Sequence, residues 1–415
     1  MRTFSNSRLS PNPQHISRVG KERAGSEANM SIPARLIAFY LPQFHPIPEN
    51  DEWWGKGFTE WTNVAKAKPL FKGHYQPRLP ADLGFYDLRL REVREAQAEL
   101  ARNAGIEGFC YYHYWFGGKP LLERPFDEVL VSGEPDFPFC LCWANQTWSG
   151  VWHGAPDRIL MEQTYPGPED CRKHFLALRN AFLDERYLRL DGRPIFVIYR
   201  PAQLPNASSF IQEWQELAVQ SGLPGLHFVA HFDNQLTWDY RSRGFDSCVV
   251  VGIFRAFSSL SHELFLRAYE NGSRGNLTHF RTGANGDTSK GELREWVWRR
   301  LRSSLGQFRN VRLYRHALPY LLDSSSEQPR VYPCVTPNWD NTPRCGTRGS
   351  VLHESTPDLF RIHLRDALTQ VQSRPMNQRL VFIKSWNEWA EGNYLEPDQK
   401  FGLDYLKVVR EEVFI

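Results

Sequence analysis

Eight short runs of β-branched and aromatic residues recur along this chain, and a helical pattern separates each from the next. The runs are RLIAFYLPQ (35–43), IEGFCYYHYW (106–115), FPFCLCWAN (137–145), RPIFVIYRP (193–201), LHFVAHF (226–232), DSCVVVG (246–252), RVYPCVTP (330–337) and RLVFIKSW (379–386). Most are nearly continuous in apolar residues, as expected of parallel strands buried on both faces. Of the helical stretches, LRLREVREAQAELARNAG (88–105) stops at Gly105, a good C-cap, and PEDCRKHFLALRNAFLDERY (168–187) opens with Pro and acids. SSFIQEWQELAVQSG and TPDLFRIHLRDALTQVQ follow the same rule. Strand and helix alternating eight times predict an α/β chain folded as a (β/α)8 TIM barrel in a single domain. A doubly wound open sheet would want a Gly-rich phosphate loop after its first strand, and FHPIPENDEWWGKGFTEW provides none.

The rhythm breaks in two places. Residues 1–29 are rich in Ser, Asn, Arg and Pro and read as a disordered tail, with Met30 as the genuine start and 30–415 as the barrel. Between the sixth and seventh strands lies an insertion, 253–329, holding a Gly/Asn/Ser stretch (271–291) and a basic amphipathic helix, REWVWRRLRSSL. It reads as a barrel helix with a long loop. The sharper alternative is a lid, or a surface for an anionic or membrane-bound substrate.

A net charge of +3 announces no nucleic-acid face. No apolar stretch approaches the roughly 20 residues that span a bilayer, and no signal-peptide core is evident. Seven cysteines, several inside the apolar runs, read as reduced core thiols. The expected location is therefore the cytoplasm, with peripheral contact at the inner membrane surface left open.

In a barrel of this kind the active site collects at the C-terminal strand ends. The first end brings Tyr40, Gln43, His45, Trp53, Trp54, Glu60, Trp61 and Asn63; the second brings Tyr112, His113, Tyr114 and Trp115. The third brings Trp143, Asn145, Gln146, Trp148 and Trp152; the seventh brings Asn338, Trp339, Asp340 and Arg344; the eighth brings Trp386, Asn387, Glu388, Trp389 and Glu391. Ten of the 14 tryptophans lie at these ends. Each alone could be packing. Together with interleaved Asn, Gln, His, Asp and Glu they suit a sugar, whose flat C–H faces take aromatic rings and whose hydroxyls take the polar rim.

Carboxylates gather in SWNEWAEGNYLEP (385–397). Glycosidic chemistry commonly uses two of them, one to protonate the leaving oxygen. If the chain turns helical beyond the eighth strand, Glu388 and Glu391 reach the same side. If it stays extended, they face opposite ways and Glu396 becomes the better partner. The bland alternative is that one of them ion-pairs with Arg344 or Lys384. There is no G-x-S-x-G elbow and no H-E-x-x-H pair, and His45, His113 and His153 are scattered, so neither a metal nor a cofactor is expected.

The stretches FYLPQFHPIPENDEWWGKGFTEWTNV, GFCYYHYWFGGKPLLERP, FPFCLCWAN and SWNEWAEGNYLEPD resemble the WbsX-type glycosyltransferase family, which is related to glycoside hydrolase family 99, the endo-acting α-mannosidases and mannanases. The resemblance runs from about residue 34 to about 408 and implies a (β/α)8 barrel. In the hydrolase family a motif similar to NEWAEG works with retention through a 1,2-anhydro sugar. Carried over, Glu388 would be the base that takes the 2-hydroxyl proton, and Glu391 the acid. Gln146 departs from the pattern, standing where relatives carry an acidic residue, which implies a different sugar. The residues expected to bind sugar are Tyr40, His45, Glu60, Trp61, Tyr112, His113, Trp143, Asn145, Asp340, Trp386, Asn387 and Glu396. The expected role is forming a glycosidic bond with retention in O-antigen or capsule synthesis, on an oligosaccharide or polysaccharide that is free or lipid-linked, with no nucleic-acid partner. An endo-acting hydrolase or transglycosylase using the same glutamates, and a non-catalytic glycan-binding protein, are the alternatives.

Overall fold

The computed structural model describes residues 33–150, 155–260 and 310–414. All eight predicted runs form strands: β1 (Arg35–Tyr40), β2 (Gly108–Phe116), β3 (Phe139–Trp143), β4 (Arg193–Ile198), β5 (His227–Asp233), β6 (Ser247–Val251), β7 (Val331–Val335) and β8 (Leu380–Ile383). Each is parallel to its neighbours, and their order around the sheet is their order in the chain. β8 closes on β1, with Leu36 opposite Val381 and Ala38 opposite Ile383. This is the closed (β/α)8 barrel. β3, β6, β7 and β8 are buried along their whole length, because one face fills the barrel and the other meets helices.

Two short helices, α1 (Pro48–Trp54) and α2 (Glu60–Lys66), follow β1 before the outer helix α3 (Arg91–Asn103). Beyond α3, Gly105 takes φ +85°, the left-handed turn its place in the sequence predicts. The outer layer continues with α4 (Arg124–Ser132), α5 (Pro168–Leu183), α6 (Ala207–Gln220), α7 (Ile253–Ser259), α8 (Tyr314–Leu321), α9 (Pro357–Val371) and α10 (Asp404–Val413). At the start of α9 the Thr356 hydroxyl accepts the Leu359 N–H, and Pro357 fills the first helical position.

The strict alternation fails once. Between β5 and β6 there is only a 3₁₀ turn, Tyr240–Arg243, and no α-helix. Residues 234–246 are close to the shortest crossover that joins parallel strands, about a dozen residues. Asp239 accepts the Arg241 N–H and Gly244 at φ +88° ends the turn. Trp238, its ring 4.9 Å from Phe232, covers the strand there.

The expected insertion is described only at its flanks. α7 and α8 belong to the helical layer, and a Cβ on Gly252 would stand 2.1 Å from the Leu321 carbonyl oxygen, so the approach of β6 to α8 needs glycine. The predicted Gly/Asn/Ser stretch and basic helix fall in 261–309, outside the described residues, as do the predicted tail, Trp152 and His153. All seven cysteines are free thiols, five of them buried.

Candidate active site

The last strand leads directly into the chemistry. After β8, Asn387–Glu388 pairs antiparallel with Asn393–Tyr394, and a 3₁₀ turn, Trp389–Glu391, joins them. In a 3₁₀ turn side chains three apart eclipse, so Glu388 and Glu391 lie on the same side. Of the two predicted geometries, the helical one is realised. Gly392 closes the turn at φ +55°, and a Cβ there would stand 2.8 Å from Asp340 Cβ and 3.0 Å from its backbone N. Ser385 stiffens the hairpin: its hydroxyl donates to the Asn393 carbonyl at 2.7 Å and accepts the Glu388 N–H at 3.0 Å.

Both glutamates line a cavity of about 320 Å³ at the C-terminal ends of the strands. Every strand end contributes, among them Gln43, Tyr112, Gln146, Tyr199, Asp233, Phe254, Arg344 and Lys384. Lys384 Nζ donates to Glu388 Oε1 at 3.1 Å and to the Tyr112 hydroxyl at 3.0 Å. Arg344 serves two carboxylates: Nη1 meets Glu391 Oε1 at 2.7 Å, while Nε and Nη2 meet Glu60 at 3.2 and 3.1 Å. The bland ion-pair alternative is thus realised for both glutamates, each with its own cation.

The cluster holds three carboxylates, Glu60, Glu388 and Glu391, against two cations. Charge balance in a buried site therefore favours one protonated carboxyl. Burial alone would raise Glu388, but Lys384, a hydrogen bond with Glu391 and the Arg344 charge hold it well below the usual carboxylate range. Burial and the adjacent Glu388 charge raise Glu391 well above it, and Arg344, shared with Glu60, offsets only part of this. One carboxyl is built to be ionised and its neighbour to be protonated, the division that base and acid roles require.

Of the twelve expected sugar-binding residues, Glu60 and Tyr112 line the cavity. The other ten do not, and each is held elsewhere. Strand alternation explains two: Tyr112 and Tyr114 face the cavity, so His113 points outward, its Nε2 2.8 Å from that of His174. Trp143 likewise packs outward on Phe210 and His174. Burial lowers both His113 and His174, so neither carries charge at neutral pH. Tyr40 donates to Gln97 at 2.7 Å, His45 Nδ1 meets the Pro42 carbonyl at 2.9 Å, and Trp61 Nε1 donates to the Tyr86 carbonyl at 2.8 Å. Trp386 is buried against Phe109.

Two asparagines are clips. Asn145 accepts the Arg200 N–H and donates to its carbonyl; Asn387 does the same for Leu41, tying the end of β8 to that of β1. Asp340 accepts from His74, Gln76 and Thr342, and so anchors the turn Thr342–Cys345 that carries Arg344. These three act on the site through other residues.

Glu396 also lies below the site. It accepts from Tyr86 at 2.9 Å and from Gln97 and Trp389 at 2.6 Å each, which leaves it committed to the protein. Burial raises its pKa to about 7, against the pull of those donors. A carboxyl that binds its proton more tightly folded than unfolded stabilises the fold fully below the unfolded pKa of 4.5, and that contribution is lost as pH rises through about 7. Urea titrations at about pH 5 and about pH 8 are expected to show stability falling with pH, more steeply in the wild type than in Glu396→Gln. Equal slopes would remove Glu396 from the account.

Sequence reasoning passed over Tyr199, Arg200 and Asp233, all of which line the cavity. The available signal was position: they stand at the ends of the fourth and fifth runs, where barrel chemistry collects. Among the described residues no group of three or more His, Cys, Asp or Glu could hold a metal, and no helix is long and apolar enough to cross a membrane.

Residues 36–409 match the family described as "Glycosyltransferase WbsX". The chain belongs to the WbsX glycosyltransferase family. Two relatives, each an uncharacterized protein WxcX from Xanthomonas campestris pv. campestris (strains B100 and ATCC 33913), are 38% identical over 92% of this chain. The chain spans about half the length of these relatives (50%). Among solved structures it is similar to a glycoside hydrolase-like protein (TM-score 0.54, 15% identity, 96% of this chain and 98% of that one). It is also similar to the GH99 endo-alpha-mannosidase from Bacteroides thetaiotaomicron (TM-score 0.50, 14% identity, 91% and 96%). At such identities the likeness speaks for the barrel alone.

Proposed function

We propose that this WbsX family member forms glycosidic bonds with retention of anomeric configuration, in assembly of a cell-surface polysaccharide. The observation that carries this reading is the unequal pair on one turn: Glu388 against Lys384, and Glu391 sharing Arg344 with Glu60. Glu388 takes the proton from the sugar 2-hydroxyl as O2 attacks C1. Glu391 gives its proton to the departing oxygen, leaving a 1,2-anhydro sugar. An acceptor hydroxyl then attacks C1, Glu391 takes its proton, and Glu388 returns one to O2. Two inversions give net retention, and the protons balance over the cycle.

The same steps with water as acceptor describe an endo-acting hydrolase. One feature favours this second reading: among the described residues each cation of the cavity is paired with a carboxylate, so none of these is set aside for a nucleoside diphosphate leaving group. The likeness in fold to the GH99 endo-alpha-mannosidase is compatible with it.

The test is stereochemical. Nitrophenyl α- and β-glycosides of mannose, rhamnose and related sugars are incubated with the protein, with and without a sugar acceptor. The first-formed product is read by its anomeric proton resonance. Retention is expected, and inversion would overturn the mechanism. A product that incorporates the acceptor selects transfer, and free sugar alone selects hydrolysis.

A further inference from the structure

Across the cavity from the glutamates stands a second charged pair that the proposed chemistry does not use. Arg200, just beyond β4, and Asp233, the last residue of β5, form an ion pair through Nη1 and Oδ2. Both side chains line the cavity and are partly open, 32% and 22% exposed. Their placement is fixed rather than incidental. Asn145 holds the Arg200 backbone on both its N–H and its carbonyl, the Gln146 side chain accepts from Arg200 Nε at 3.2 Å, and the guanidinium lies 4.6 Å from the Tyr199 ring centre.

What the pair leaves over is specific. Among the described residues, Arg200 Nη2 and Asp233 Oδ1 make no hydrogen bond. His231 Nδ1 stands 3.8 Å from Oδ1, beyond hydrogen-bond range, and burial lowers the pKa of that imidazole to about 4, so it is neutral at neutral pH. A donor and an acceptor are thus presented side by side. Two adjacent hydroxyls match this arrangement, one accepting from Nη2 and the other donating to Oδ1.

The charge balance narrows the ligand further. Arg200, Arg344 and Lys384 face Asp233, Glu60, Glu388 and Glu391; with Glu391 protonated, the described cavity is electrically neutral. A uronate or diphosphate placed there meets no unbalanced cation, and would have to displace Asp233 to reach Arg200.

We propose that Arg200 and Asp233 form a second sugar subsite that binds a vicinal diol of an uncharged sugar and excludes anionic ones. This rests on the carbohydrate reading of the cavity. Asp233 is the residue that makes the exclusion, since without its charge Arg200 becomes an anion site.

The test uses ligand-observed NMR and calorimetry. Methyl glycosides of mannose, glucose, galactose and rhamnose, methyl glucuronide, UDP and inorganic phosphate are titrated against wild type, Asp233→Asn and Arg200→Gln, each first checked for an unchanged melting temperature. Wild type is expected to bind at least one neutral glycoside and none of the anions. Asp233→Asn should weaken neutral binding about tenfold and gain binding of methyl glucuronide or phosphate. Arg200→Gln should weaken neutral binding without that gain, and it serves alone if Asp233→Asn does not fold. Neutral binding that is unchanged in both variants overturns the subsite while the carbohydrate reading stands. Anion binding by wild type overturns the exclusion. Failure of every neutral glycoside to bind overturns the carbohydrate reading and the subsite together.

Discussion

Glu391→Gln is expected to abolish turnover while leaving sugar binding in place. The carboxyl it removes lies in a buried cluster that favours its protonated form, so glutamine reproduces its shape and its neutral state but has no proton to give. General acid catalysis contributes about 10²–10⁴-fold, and a loss of that size in kcat with little change in KM is the expected signature. The Arg344–Glu60 pairing does not depend on Glu391, so the cavity wall should stay intact. The pH dependence offers a second reading of the same residue. Burial and the Glu388 charge raise Glu391 to about 8, so wild-type activity should fall as pH rises through that value and the acid is lost. Whatever residual activity Glu391→Gln retains should lack this alkaline fall. Unchanged turnover in the variant, or an identical alkaline limb, would sink the assignment.

The second large effect concerns Lys384. Its side chain and that of Glu388 are 6% and 5% exposed, and Glu388 draws its low pKa mainly from the Lys384 charge. Lys384→Met keeps the bulk and removes the charge. It leaves a buried carboxylate beside Tyr112 with no cation at hydrogen-bond distance of its own, and breaking a buried pair this way costs about 3–5 kcal/mol. Glu388 can reduce that cost only by taking up a proton, which removes the proposed base at neutral pH. Stability and activity should therefore fall together. Lys384→Met combined with Glu388→Gln is expected to recover much of the stability and none of the activity, because the unpaired charge is gone but so is the base. Urea unfolding of the two single variants and the double variant measures the coupling. A cost below about 1 kcal/mol for Lys384→Met would mean that the pair does not behave as a buried one.

The barrel was legible because each strand is buried on both faces, which makes the runs nearly continuous and easy to find. That same continuity hid which residues face the cavity. In GFCYYHYWF a reader sees aromatic and polar residues at every position, and only the pleat of β2 separates Tyr112 and Tyr114, facing in, from His113 and Trp115, facing out. The glutamates were legible because carboxylates so close to a buried strand need a reason. The placement of Asn145 and Asn387 was hidden for a different cause: each is a polar residue at a strand end, but its partners, the backbones of Arg200 and Leu41, are distant in sequence. The setting of Glu396 was hidden because Tyr86 and Gln97, two of its three donors, come from another part of the chain.

The clip between Asn387 and Leu41 joins the last strand to the first, and the two glutamates sit on the hairpin that begins at that clip. On a ribosome, the nascent chain would carry seven of its eight staves before either of these glutamates existed. Sealing the barrel and completing this pair of carboxyls are therefore the same event.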